Sequence, residues 1–217
     1  MKSYILTSLL ILGSLQSAFA VLGLDAIQTI STSEFKCLHN EGYRFFIGRV
    51  WESVGNYDYT GMRNIKNARE AGMEHVDGYL FPCLSSGCAH AAKQVEATVD
   101  KLKAEGAKIG TLWLDIERYA WPANHESNRQ FITAMVNQAK SMGVTVGIYS
   151  NYNMWESIVG LDYKAHSNLP LWWADYNGHK DYTGFTPFGG WSKPSMHQYT
   201  GTVNGGCGVS MDQTYYP

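Results

Sequence analysis

The stretch Ile109-Gly110-Thr111-Leu112-Trp113-Leu114-Asp115-Ile116-Glu117 is uncharged and largely apolar for six residues, then carries two acids one position apart. A run this short, with no charged residue on alternate positions, reads as a strand buried on both faces, as in a parallel sheet covered by helices. Ending such a strand in two carboxylates has no obvious structural use. The same nine residues therefore point both to an architecture and to a site within it.

Outward from this stretch the pattern repeats. Strand-like runs at Val21 to Ile27, Arg44 to Trp51, His75 to Phe81 and Val144 to Ser150 alternate with helical spacing at Ser33 to Glu41, Gly61 to Ala71, Ala89 to Glu105, Glu126 to Met142 and Asn153 to Val159. Gly42, Gly72, Gly106 and Gly143 sit where a left-handed residue closes a helix before the next strand. Beyond Gly160 the rhythm changes. Leu169 to Tyr176, Ser195 to Tyr199 and Val209 to Tyr215 read as strands without helices between them, with Gly184, Gly189, Gly190, Gly201, Gly205 and Gly206 as turns. Five βα units followed by three strands predict a single α/β domain, an irregular TIM-like barrel. An open doubly wound sheet is the alternative, and it leaves Val209 to Tyr215 at an edge.

Lys2, the apolar run Ile5 to Leu12 and Ala18-Phe19-Ala20 read as a secretory signal over residues 1–20, which leaves residues 21–217 as the folded domain. No later run is long and apolar enough to suggest a membrane helix. The formal charge of −2 is made of scattered charges of both signs, so neither nucleic acid nor a membrane surface is an expected partner. Four cysteines in a secreted chain are read as two disulfides, Cys83 with Cys88 and Cys37 with Cys207, although sequence alone leaves three connectivities open. Cys83, Cys88 and His90 as zinc ligands are the rival reading, and it lacks an evident fourth ligand.

Barrel enzymes carry their chemistry at the C-terminal ends of the strands, where Asp25, Asp115, Glu117, Asp175 and Asp212 fall. Positions i and i+2 of a strand face the same side about 6 to 7 Å apart, so Asp115 and Glu117 share a cleft. Glycosidic hydrolysis needs such a pair: one protonated carboxyl for the leaving oxygen and one negative group facing a cation-like transition state. Mutual repulsion favours a proton on one of them, and Glu117 is assigned as the acid with Asp115 as its ionised partner. Nine Asp and ten Glu in 217 residues supply an Asp-x-Glu about 0.4 times by chance, so its place at a strand end carries the weight. Trp51, Trp121, Tyr149, Trp172, Tyr176 and Tyr199 lie at or beyond strand ends, where aromatic rings stack on sugar faces. No serine-nucleophile elbow, zinc-protease helix, phosphate loop or dinucleotide fingerprint occurs. The histidines lack ligand spacing, so no cofactor and no metal is expected.

The chain resembles the glycoside hydrolase family 25 lysozymes, also called Chalaropsis-type or cellosyl-type, especially the nematode and amoeba members. The residues that carry the resemblance are Gly23-Leu24-Asp25, Phe46-Ile47-Gly48-Arg49, Trp113-Leu114-Asp115-Ile116-Glu117, Val146-Gly147-Ile148-Tyr149-Ser150, Leu171-Trp172-Trp173-Ala174-Asp175-Tyr176, His197-Gln198-Tyr199 and Val209-Ser210-Met211-Asp212. It implies a (β/α)5(β)3 barrel and a muramidase cutting the β-1,4 bond between N-acetylmuramic acid and N-acetylglucosamine in bacterial peptidoglycan. Glu117 then matches the general acid, Asp115 its neighbouring carboxylate and Asp25 the first-strand catalytic acid. Asp212, Tyr149, Trp172, Tyr176, Gln198 and Asp175 are expected along the substrate cleft. The protein is expected to be a secreted monomer acting in defence or in digesting bacteria. A glycan-binding protein without turnover, or a glycosidase of chitin-like polymers, would use the same barrel.

Overall fold

The computed structural model describes residues 21–217; the expected signal at 1–20 lies outside the described residues. The elements are β1 (Val21–Ala26), α1 (Thr32–Asn40), β2 (Tyr43–Trp51), α2 (Tyr59–Glu70), β3 (His75–Leu80), α3 (Ala91–Glu105), β4 (Thr111–Asp115), α4 (His125–Ser141), β5 (Thr145–Ser150), α5 (Tyr152–Val159), β6 (Leu171–Ala174), β7 (Met196–Asn204) and β8 (Ser210–Tyr216). The strands close into a barrel in sequence order. Neighbours are parallel from β1 to β7, while β8 runs antiparallel to both β7 and β1. This closure excludes the open sheet, because the last strand is paired on both sides. No helix among the described residues is long and apolar enough to cross a membrane.

Local chemistry sets the helix ends. Ser31 and Glu34 form a reciprocal capping box at α1, and Asp58, Asn124 and Asn151 cap α2, α4 and α5 through their side chains. The four expected closing glycines all have positive φ, between 65° and 102°. Gly201 differs from expectation. It lies inside β7, and a Cβ there would stand 2.9 Å from the Tyr176 ring, so the missing side chain makes room for that ring.

Strand alternation divides the core into two layers. Leu24, Phe46, Leu80, Leu112, Leu114, Ile116, Ile148 and Leu171 face outward into the layer beneath the helices. Phe45, Ile47, Trp113, Tyr149, Trp172, Ala174 and Met196 fill the barrel interior. Large rings there are accommodated by glycines: a Cβ on Gly23 would fall 2.1 Å from Phe45, and one on Gly147 would fall 2.4 Å from Trp113. Gly61 serves α2 in the same way, since a Cβ there would collide with the Arg49 carbonyl oxygen at 1.7 Å. The helix therefore lies directly on the strand that carries Arg49.

Both expected disulfides are present. Cys37 joins α1 to Cys207 in the short 3-10 turn Gly206–Gly208, and Cys83 joins Cys88 in the loop after β3. With all four cysteines paired, the zinc alternative has no thiolates to use. Gln94 fastens the β3 loop further: its side chain accepts from Cys83 N–H and Trp51 Nε1–H, and donates to the carbonyls of Cys83 and Ala89.

Candidate active site

The C-terminal ends of the parallel strands surround a cleft lined by Asp25, Arg49, Tyr79, Phe81, Asp115, Glu117, Tyr149, Trp172, Tyr176, Gln198 and Asp212. Four carboxylates thus converge from β1, β4, the residue two beyond β4, and β8. Strand alternation explains the β4 pair. Trp113, Asp115 and Glu117 face inward while Ile116 turns into the outer core, its backbone tied to Tyr149 C=O and Ser150 Oγ. Glu117 stands outside the regular strand on a loop anchored by its own carbonyl, which accepts from Trp121 Nε1 at 3.0 Å. Arg118 points away and donates to Ser157 Oγ and Asn153 C=O, pinning that loop to α5.

Hydrogen bonds hold the acids unevenly. Asp25 accepts from Gln198 Nε2 at 2.8 Å, and Asp212 accepts from the same nitrogen at 3.3 Å and from Thr202 N–H at 2.5 Å. Thr202 has φ 46°, rare for a β-branched residue, within a register shift between β7 and β8; this kink brings its N–H to Asp212. Asp115 differs again: it is 6% exposed and its Oδ1 has no hydrogen-bond partner.

Burial raises all four carboxyl pKa values. Asp25 is pushed well up by burial and by Asp212, Asp115 well up by burial, Glu117 and Asp25, Glu117 up by burial and Asp212, and Asp212 up by burial against the opposing Thr202 bonds. Among the described residues Arg49 is the one cation lining the cleft, and it is already engaged by Asp58 at 2.8 Å and Glu52 at 3.5 Å. Burial is thus the largest single cause of the rise at Asp115.

This has a measurable consequence for stability. A carboxyl with a folded-state pKa above its unfolded value holds its proton longer in the folded chain, so rising pH through that window destabilises the fold. Asp115→Asn is expected to raise Tm at pH 7, with the gain shrinking toward the ordinary aspartate value of 3.8. Melting curves across that range check it. A gain independent of pH, or a lowered Tm at pH 7, would refute the electrostatic cause.

Several expected site residues lie together and others do not. Asp25, Asp115, Glu117, Asp212, Tyr149, Trp172, Tyr176 and Gln198 all line the cleft. Asp175 does not; it follows Ala174 on the other face of β6, and its carboxylate accepts from Asn177 Nδ2 at 2.8 Å. Trp51 and Tyr199 are buried away from the cleft, and Trp121 packs on Phe131 of α4. His197 contacts the carbonyls of Asp175 and Asp181 at 2.7 Å each and stacks on Trp173, which anchors the loop between β6 and β7. Arg49, Tyr79 and Phe81 were not singled out from sequence; their signal is the two-residue spacing from Ile47 and Asp77.

The chain matches the family model described as lysozyme-like protein 1 over residues 16–199. It is 54% identical over 217 residues to "Lysozyme-like protein 5" of Caenorhabditis elegans, covering 100% of both chains. To "Probable GH family 25 lysozyme 2" of Dictyostelium discoideum it is 39% identical over 198 residues, 91% of this chain and 92% of that one. In fold it is similar to a family GH25 lysozyme from Aspergillus fumigatus, with a TM-score of 0.68 at 17% identity over 91% of this chain and 94% of that one. The autolysin LytC of Streptococcus pneumoniae, solved in complex with a synthetic peptidoglycan ligand, gives a TM-score of 0.74 at 17% identity over 92% of this chain and 47% of that one.

Proposed function

We propose that this chain, which belongs to the glycoside hydrolase family 25 lysozymes, cuts the β-1,4 bond between N-acetylmuramic acid and N-acetylglucosamine in bacterial peptidoglycan. The observation that carries the reading is the convergence of Asp25, Asp115, Glu117 and Asp212 in one cleft with Tyr79, Tyr149, Trp172 and Tyr176. Carboxylates supply acid and negative charge, and the aromatic groups offer apolar faces and hydroxyls to sugar rings.

Glu117 is the proton donor. It is half-buried at the mouth, has the longer side chain of the β4 pair, and its raised pKa keeps it protonated into mildly acidic solution. Its proton passes to the glycosidic oxygen as the bond to the anomeric carbon breaks. The remaining acids face the cation-like ring, and water completes hydrolysis by adding hydroxyl to that carbon and returning a proton to Glu117. Asp115 lies at the cleft floor beside Asp25 and Glu117. Two disulfides support an oxidising compartment and hence a secreted protein. Acting as a monomer, it would serve defence or the digestion of bacteria.

Product analysis tests the substrate. Purified protein, incubated separately with peptidoglycan and chitin, is expected to release muropeptides with reducing-end N-acetylmuramic acid, identified by mass spectrometry. Chitooligosaccharides alone would assign a different polymer, and binding without any product would leave a glycan-binding protein.

A further inference from the structure

We propose that Gln198 is a positioning residue whose single amide, bonded to Asp25 and Asp212 at one end and to Tyr149 and Tyr176 at the other, holds both acids as hydrogen-bond acceptors for the reaction. The inference rests on the hydrolase reading above and adds to it a residue that acts through the acids.

Gln198 is 2% exposed and faces the interior from β7. Its Nε2 donates to Asp25 Oδ1 at 2.8 Å and to Asp212 Oδ2 at 3.3 Å, while its Oε1 accepts from Tyr149 OH at 2.7 Å and Tyr176 OH at 3.2 Å. Both amide protons and both lone pairs of the oxygen are therefore occupied. The orientation has a reason. Flipped, the amide oxygen would face two carboxyl groups and meet no donor unless one of them were protonated.

The two acids it bridges are register partners across β1 and β8, so nothing in the backbone separates their charges. Arg49 from β2, Tyr79 from β3, Asp115 from β4 and Glu117 just beyond it also face this space. Arg49 is committed to Asp58, and the β4 acids add repulsion. A neutral donor shared between Asp25 and Asp212 thus does what an added cation would do, without drawing the carboxylates into a tight ion pair. The tyrosine protons, held by Oε1, are kept from the acids.

The test compares Gln198→Leu and Gln198→Glu with wild type in two measurements. One is the pH profile of kcat and KM on soluble peptidoglycan fragments; the other is a carbon-13 carboxyl titration of the substrate-free protein. For Gln198→Leu, kcat is expected to fall about ten- to a hundredfold while KM changes less than about threefold. The Asp25 and Asp212 titrations should move upward by about one pH unit or more. Gln198→Glu can donate a proton only while its new carboxyl is un-ionised, so its activity should survive at the acid end and fail on raising pH. If Gln198→Leu does not fold, the Glu variant carries the comparison alone. Unmoved titrations, or a change confined to KM with an unaltered pH profile, would overturn the inference. Failure of wild type to cut the fragments would defeat the proposed substrate, and the titration arm would still decide the role of Gln198.

Discussion

Glu117→Gln is expected to slow clearing of a bacterial wall suspension by about 10²–10⁴-fold, the usual contribution of a positioned general acid. The amide keeps the shape and hydrogen-bonding capacity of the side chain but has no proton to give the leaving oxygen, so sedimentation of the protein with walls should not change. In wild type the same group should set the alkaline side of the pH profile. Its pKa is raised by burial and by Asp212, so activity is expected to persist above the ordinary glutamate range and to fall as Glu117 ionises. An unaffected clearing rate would remove Glu117 from the acid role, and lost binding would move its role to recognition.

Replacing Cys37 and Cys207 together with Ser is expected to lower the unfolding free energy by about 3–5 kcal/mol, because the bond restricts a very long loop in the unfolded chain. The two cysteines are 170 residues apart, and their bond ties α1 to the turn between β7 and β8. That turn leads into the strand carrying Asp212. Non-reducing urea denaturation of the variant measures the loss, and one below about 1 kcal/mol would mean that native contacts, not the bond, hold the turn. A matching change at Cys83 and Cys88 should matter less, since they lie only five positions apart and Gln94 secures the same loop.

The barrel was legible because helix-closing glycines, capping residues and strand runs recur in phase, and because β-strand parity is simple to count. The same parity places Asp25, Asp115, Glu117 and Asp212 inside. It also excludes Asp175 and Tyr199 once Trp172 and Gln198 are taken as inward, a count not made from sequence. Trp51 obeys a different cause. Counting from Phe45, Ile47 and Arg49 puts it inside, but a register shift between Arg49 and Trp51 lets it turn outward to Gln94. Neither that bulge nor the kink at Thr202 has a local sequence mark, because each is imposed by pairing with a neighbouring strand. The upward pull of burial on the Asp115 pKa was illegible for a related reason: burial depends on every strand around it, whereas the sequence displays only its neighbour Glu117.

Asp25 and Asp212 lie opposite each other across the seam where the final strand meets the first. A chain still emerging from the ribosome therefore has Asp25, Asp115 and Glu117 long before it has a complete cleft. A product cut short before Ser210 lacks both Asp212 and the strand that closes the barrel, and is expected to show no turnover. Hydrolysis measured during synthesis is consequently expected to report the seating of one seven-residue strand, with a lag set by barrel closure and not by the synthesis of Asp115 and Glu117.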